Sequence, residues 1–179
     1  MERFDLMIDK VINLEGNYSN DKDDSGGETM YGITKACAVR NGYLGEMNDL
    51  TILQAKDIYR KEYYQTPKFD QIKNDAIAYE LLDTAINCGT QSAVKFLQRS
   101  LNYLNIDSTL GKDLFVDGVI GIESLARANC YADQKRLLVM LNAVQCYYYI
   151  GITDSNPRQR KFINGWLSNR VFMQVKNSI

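Results

Sequence analysis

A stretch near the N-terminus, residues 15–34, combines residue types that acid-catalysed hydrolysis requires. It reads EGNYSNDKDDSGGETMYGIT, and Glu15 ends an apolar periodic segment, with Gly16 beside it as a natural helix stop. A carboxyl group there faces the negative end of the helix dipole, which disfavours ionisation, and drying by Tyr18 or Tyr31 would raise its pKa further. A carboxyl group kept protonated in this way can donate the proton that a glycosidic leaving oxygen needs.

A second carboxylate, Asp24, follows in a loop that also contains Gly26 and Gly27. Glycine lets the backbone turn sharply there and lets a polymer approach closely. Thr29 then supplies a hydroxyl that could hold a water molecule. Two alternatives stay open: Asp24 could brace the loop by accepting bonds from the two glycine amides, and each carboxylate taken singly could be a solvated surface group.

Composition restricts the chemistry further. The 179-residue chain contains no histidine, which excludes Ser-His-Asp and Cys-His catalysis and weakens any transition-metal site. We expect no metal and no cofactor, and we interpret the widely spaced cysteines as reduced, mostly buried thiols: Cys37, Cys88, Cys130 and Cys146. With 21 basic and 22 acidic side chains, no basic field points to nucleic acid. Proton chemistry must therefore run on carboxylates, tyrosines or lysines.

Helical periodicity dominates the elements that would position these groups. Apolar side chains at helical spacing predict a first helix over residues 3–14, and residues 16–32 break that pattern as a loop or small β-hairpin. Residues 105–120 form a second irregular segment with turn chemistry. Further helices are predicted at 34–39, 51–64 (with Thr51 as N-cap), 75–87, 90–104, 121–130, 133–150 and 157–174. The predicted fold class is mostly α, with one β excursion near residues 16–32.

The 15–34 stretch resembles the signature of glycoside hydrolase family 108, N-acetylmuramidases known as secretion-activator proteins and phage endolysins. That signature runs Glu-Gly-Gly-Tyr, an acidic loop with Asp-x-Gly-Gly, then Thr-x-Tyr-Gly-Ile-Thr. The matching residues are Glu15-Gly16-Asn17-Tyr18, Asp24-Ser25-Gly26-Gly27 and Thr29-Met30-Tyr31-Gly32-Ile33-Thr34. Asn17 is the departure, and asparagine tolerates left-handed backbone geometry. The resemblance implies a lysozyme-like helical fold, with Glu15 as general acid and with Asp24 and Thr29 managing the nucleophilic water. We further predict that Tyr18, Tyr31 and Asn87 contact substrate.

Motifs in the second half are also similar to such proteins. They are Asp83 to Gly89, like the element that closes the catalytic region; Phe96-Leu97-Gln98, like the start of a peptidoglycan-binding region; Asp117 to Gly121, like its Asp-Gly-x-x-Gly turn; and Asn164 to Arg170, like its closing helix. The implied organisation is a muramidase catalytic region at 1–92 and a helical peptidoglycan-binding region at 93–179, packed against it. Asp117-Gly118 could equally be a simple tight turn, and Trp166 could be packing instead of a sugar platform.

Three functions follow as hypotheses. The first is hydrolysis of the β-1,4 bond between N-acetylmuramic acid and N-acetylglucosamine in peptidoglycan. The second is lytic transglycosylation of the same glycan strands, and the third is a non-catalytic wall-binding role in secretion. Because charged residues interrupt the N-terminal stretch MERFDLMIDKVINLEG, we expect synthesis in the cytoplasm and release to the periplasm or cell wall without a signal peptide. A holin-like membrane pore is one route for that release.

Overall fold

The computed structural model describes residues 3–15, 18 and 28–171, with backbone placement only at 10, 11 and 13–15. α-Helices dominate it, as predicted, beside one short antiparallel hairpin. The helices are α1 (Arg3–Glu15), α2 (Lys35–Arg40), α3 (Ile52–Tyr59), α4 (Asp75–Cys88), α5 (Thr90–Tyr103), α6 (Ile122–Cys130), α7 (Gln134–Ser155) and α8 (Ile163–Trp166). The strands are β1 (Thr29–Met30) and β2 (Ile33–Thr34). Short 3₁₀ turns lie at Met47–Asp49, Phe69–Gln71, Ile106–Ser108 and Pro157–Phe162, and π turns at Arg60–Gln65 and Leu167–Val171. The chain divides into two compact units, residues 1–66 and 67–179.

In the first unit, α1 is anchored by its apolar face and by ion pairs. Phe4, Ile8 and Ile12 recur at helical spacing and are buried, which is the periodicity that predicted the helix. The guanidinium of Arg60 lies 4.4 Å from the centre of the Phe4 ring and donates a hydrogen bond of 2.9 Å to Asp5. These contacts fix α1 against the segment that follows α3, and so fix the backbone position at which α1 ends.

The helix predicted at 51–64 begins as expected but changes character. The Thr51 side chain caps the start, and Gln54 returns a bond to the Thr51 backbone, forming a capping box. The α-helix then ends at Tyr59, where a π turn takes over. The wider turn shifts the following side chains relative to an α-helix, and Tyr64 is thereby buried against Phe4, with ring centres 5.2 Å apart.

The second unit is a helical bundle built around α4, α5 and α7. A single residue, Gly89, separates α4 from α5, and its φ of +88° is accessible to glycine at little cost. The buried leucines that these helices share include Leu81, Leu97 and Leu141. α7 has 22 residues, so it spans roughly 33 Å at 1.5 Å per residue. In the described part of the chain no helix is both long enough and apolar enough to cross a membrane.

The C-terminal helices differ from the prediction. α7 runs to Ser155, five residues further than expected, because Gly151 does not interrupt it. It stops before Pro157, since a residue preceding proline disfavours the α conformation. The single helix predicted at 157–174 is wrong: Pro157 opens a 3₁₀ turn, α8 is only four residues long, and a π turn follows to 171. Gly165 and the weak helix formers around it account for this irregularity. Residues 172–174 lie outside the described residues.

Three carboxamides hold the irregular segment 105–120: those of Gln98 and Asn102 on α5, and that of Asn105, which follows the end of α5. Asn102 both donates to the Leu114 carbonyl and accepts from its amide, at 2.8 Å each. Asn105 donates to the Gly111 carbonyl at 2.9 Å. Gln98 binds the turn that begins at Asp117. The side chains of these three residues, Gln98, Asn102 and Asn105, fix the backbone path of a segment that has little regular secondary structure.

Candidate active site

A short β-hairpin with a two-residue turn carries two of the predicted site residues, Thr29 and Tyr31. Thr29 pairs with Thr34 and Met30 with Ile33, so Tyr31 and Gly32 make the turn. Both turn residues have positive φ, +52° and +76°, which is the requirement of a type I′ turn. This turn follows the right-handed twist of its strands, and it fixes which side chains stand opposite each other across the hairpin.

Tyr31 is the strained position of this turn. A left-handed conformation costs a non-glycine residue about 1–2 kcal/mol. The Tyr59 hydroxyl donates a 2.8 Å hydrogen bond to the Tyr31 carbonyl, and Tyr59 is itself 1% exposed. The buried Tyr59 hydroxyl at the end of α3 therefore stabilises the turn, and its hydrogen bond offsets part of the strain.

Glu28, a carboxylate that our sequence analysis did not single out, precedes the hairpin. Its Oε2 lies 2.7 Å from Lys35 Nζ, and its Oε1 accepts a 3.1 Å bond from the Tyr18 hydroxyl. The hydrogen bond from Lys35, followed by that from Tyr18, lowers the pKa of Glu28, and the same ion pair raises the pKa of Lys35. Glu28 is therefore held ionised, which suits an anchor for Tyr18 and not a proton donor.

The Glu28–Lys35 pair could have been predicted from the register of the hairpin. With the turn at Tyr31-Gly32, residues 28 and 35 stand opposite each other one step beyond Thr29 and Thr34. The Lys35 amide indeed donates to the Glu28 carbonyl at 2.9 Å. A Glu and a Lys at that spacing form a cross-strand ion pair once the turn is placed.

The structure distributes the predicted site residues over both units. Glu15 is the last residue of α1, as predicted, and Thr29, which opens β1, is half-buried. Tyr18 is 37% exposed and Tyr31 half-buried in the same unit. Asn87 lies in the second unit on α4, exposed, with its amide donating 2.7 Å to the carbonyl of its own helix at Asp83. Asp24 lies outside the described residues. The catalytic and binding roles of all six stay predictions.

The cysteines are less buried than predicted. All four are free thiols, but only Cys37 is buried, Cys88 and Cys146 are half-buried, and Cys130 is exposed. Cys37 packs against the Tyr63 hydroxyl at 4.0 Å, and burial raises the pKa of its thiol. Burial, and then the neighbouring Cys37, raise the pKa of Tyr63 to about 12. Within the described ranges, no three cysteine or carboxylate side chains gather into a group that could hold a metal ion.

Family comparisons now bear on this arrangement. Residues 8–89 match the family model described as Glycosyl hydrolase 108. Residues 8–89 therefore form a glycosyl hydrolase 108 region. Residues 92–171 match the model described as Predicted Peptidoglycan domain. SagA of Brucella abortus has a similar solved structure, at 29% identity and a TM-score of 0.74, covering 98% of this chain and 92% of that one. No curated protein matches the sequence.

Together the two matches indicate a peptidoglycan-acting glycosidase and confirm the resemblance seen in the sequence. The glycosyl hydrolase 108 region contains Glu15, the hairpin and Asn87. Its end near residue 89 does not coincide with the division into compact units after residue 66. α4 therefore belongs to the hydrolase region by sequence and to the second unit by packing. The functional boundary predicted after residue 92 stays a prediction.

Proposed function

We propose that this protein is an N-acetylmuramidase that hydrolyses the β-1,4 bond between N-acetylmuramic acid and N-acetylglucosamine, with Glu15 as general acid. The observation that carries the proposal is the position of Glu15, which is the last residue of α1 within the glycosyl hydrolase 108 region. The unpaired carbonyls at a helix C-terminus favour the protonated form of a nearby carboxyl group. A neutral acid at that point can protonate the leaving oxygen at near-neutral pH.

The electrostatics of Glu28, the carboxylate that precedes the hairpin, argue against it as the proton donor. Glu28 is paired with Lys35 and its pKa is lowered, so it is ionised when a proton donor must be neutral. In glycoside hydrolysis a second carboxylate activates water or attacks the sugar directly. We assign that task to Asp24, with the Thr29 hydroxyl holding the water.

Substrate contacts complete the proposal. We assign the aromatic surface for the sugar to the Tyr18 ring, which is oriented by its bond to Glu28, and to Tyr31 at the hairpin turn. Asn87 offers an exposed carboxamide on α4. An amide side chain suits the N-acetyl groups of both sugars, since it can both donate and accept hydrogen bonds.

Digestion of purified peptidoglycan distinguishes this proposal from the other two functions. A hydrolase yields fragments with reducing muramic acid ends, a lytic transglycosylase yields 1,6-anhydro ends, and a wall-binding helper yields neither. Mass spectrometry separates the first two by the mass of one water. Reducing muramic acid ends are the expected result; anhydro ends, or reducing glucosamine ends, would contradict the bond assignment.

The role of Glu15 is tested by Glu15→Gln, which keeps size and hydrogen bonding but removes the donatable proton. We expect the rate of peptidoglycan cleavage to fall by about 10²–10⁴-fold and the melting temperature to stay unchanged. Glu46→Gln is the matched control, because Glu46 is an exposed carboxylate of the same unit. Retention of lysis by the Glu15 variant would remove this residue from the mechanism.

Access to the wall is a further part of the proposal. We propose cytoplasmic synthesis and release through a holin-like pore, as in a phage lysis role. Expression in bacteria with and without a co-expressed holin tests it, because lysis should begin only when the pore opens. Lysis that starts without the pore would show another route.

A further inference from the structure

A groove runs between α5 and α7 on the second unit. Two adjoining cavities form it, of about 550 and 300 Å³, and they share Arg99, Val144 and Tyr147. Both volumes fall within the roughly 300–1,000 Å³ of small-molecule sites. Every residue lining the groove lies inside the region matched by the peptidoglycan domain, residues 92–171.

Helical spacing explains how the sequence builds the groove. Val144, Tyr147 and Gly151 recur at three or four positions along α7, so they share one face. Arg99 and Tyr103 stand one turn apart on α5. Gly151 leaves open space on the α7 side of the groove, because a Cβ placed there would meet nothing within 4 Å.

Tyrosine rings give the groove a surface suited to sugars. Tyr147 is 76% exposed on α7 and Tyr103 is 63% exposed on α5. A tyrosine ring offers an apolar face with a polar hydroxyl at its end. The C–H face of a pyranose packs on such a ring while its hydroxyls reach water. Large exposed rings on both walls of one groove are therefore better explained by a saccharide than by packing.

Charge adds a second requirement for the occupant. Arg99 is exposed on the groove and has no ion-pair partner among the described residues. Gln159 lines the far end, within the 3₁₀ turn that also carries Arg158, Arg160 and Lys161. The occupant should thus combine sugar rings with an anion, and a guanidinium can bind a carboxylate through two parallel hydrogen bonds.

We propose that the α5–α7 groove binds the glycan strand of peptidoglycan, with sugar faces on Tyr147 and Tyr103 and a stem-peptide carboxylate on Arg99. This inference rests on the proposed function and deepens it, because it assigns a place on the second unit where the substrate polymer is held. Binding there keeps the enzyme on its polymer and should lower the substrate concentration needed for cleavage without changing the chemical step.

The test measures binding of the disaccharide-tetrapeptide GlcNAc-MurNAc-peptide to the full chain by calorimetry. This probe lacks the MurNAc–GlcNAc bond, so binding is measured without cleavage. We expect Tyr147→Ala to weaken binding about 2–10-fold, the loss of one aromatic contact. Arg99→Gln should weaken it about 3–10-fold, the loss of one exposed charge-assisted bond. Arg99→Gln should leave binding of neutral chitobiose unchanged.

A blocking variant removes the concern that truncation harms the fold. Gly151→Leu fills the groove from α7, where the new side chain meets open space and favours the helix. It should abolish binding at an unchanged or higher melting temperature. Gly165→Leu is its control, since a Cβ at Gly165 also meets nothing within 4 Å but Gly165 does not line the groove.

Two outcomes would overturn the inference. One is binding by Tyr147→Ala and Gly151→Leu that equals wild type. The other is a concentration-dependent dimer that Gly151→Leu dissociates, which would make a second copy the occupant. Reducing ends released from intact peptidoglycan are measured in parallel. If reducing ends appear but binding does not depend on the groove, only the proposed role of the groove is refuted. If binding depends on the groove but no reducing ends appear, only the proposed hydrolysis is refuted.

Discussion

Replacing Gln98 with leucine should detach the Asp117 turn from α5. Gln98 is 1% exposed, and its amide donates to the Asp117 carboxylate at 2.8 Å and to the Val119 carbonyl at 3.0 Å. Its carbonyl oxygen accepts from the Gly118 amide at 3.0 Å. Leucine matches the volume of glutamine closely, so the substitution removes these bonds without opening a cavity.

The magnitude follows from the number of bonds and from what replaces them. Three bonds at about 0.5–1.5 kcal/mol each would give about 1.5–4.5 kcal/mol. Asp117 and Val119 are exposed, so water can take over two of the partners, and the lower end applies. We therefore expect the free energy of unfolding to fall by about 2 kcal/mol, or about 4–8 °C in melting temperature for a chain of this size.

Thermal unfolding followed by circular dichroism measures this loss, and hydrogen exchange of the Gly118 amide reports whether the turn has opened. Gln71→Leu is the matched control, because Gln71 is exposed and lies in the same unit. A melting temperature equal to that of the control would refute the reasoning. So would unchanged protection of the Gly118 amide, because the structure gives that amide Gln98 as its acceptor.

Three further predictions concern buried charge, backbone conformation and stereochemistry. Glu80 is 1% exposed, and burial, followed by repulsion from Asp83, raises its pKa to about 8. Since its pKa is about 4.5 when unfolded, stability should fall between pH 4.5 and 8, by at most about 1.4 kcal/mol per pH unit, and urea titrations of Glu80→Gln should show a shallower fall. Gly118→Ala should lower the melting temperature, because φ is +83° and the new Cβ would lie 2.4 Å from Gln91 Cγ; an unchanged melting temperature would contradict this. NMR of the first product should show inversion at the anomeric carbon, because a nine-position separation can hold Glu15 and Asp24 at about 6.5–9.5 Å; retention would contradict it.

Local sequence patterns predicted the bounds of those helices that are delimited by glycine. α1, α4 and α5 match their predicted ranges to within one residue at each end, since each has an apolar face; glycine follows α1 and α4, and Gly89 directly precedes α5. The position of Glu15 followed directly from that rule. The π turn after Tyr59 could not be predicted in this way, because it depends on where Tyr64 finds burial.

Contacts between separate motifs were also beyond the sequence. Gln98 and Asp117 were singled out as parts of two different motifs, and the structure joins them through one buried carboxamide. The exposed tyrosines could be predicted only in part. Three consecutive tyrosines on a helix require at least one outward ring, and Tyr147 is the most exposed of them. Tyr103, which lines the same cavity, comes from a different helix.

Selection for heat resistance and selection for lysis would act in opposite directions on the hairpin turn. Glycine or asparagine at position 31 relieves the left-handed strain of Tyr31, so a thermostability screen should favour that exchange. The same exchange removes the ring that we assign to substrate. A library of variants at position 31 could be selected once for thermostability and once for lysis. Tyrosine should be lost in the first selection and retained in the second, and the difference would measure how much activity depends on this strained residue.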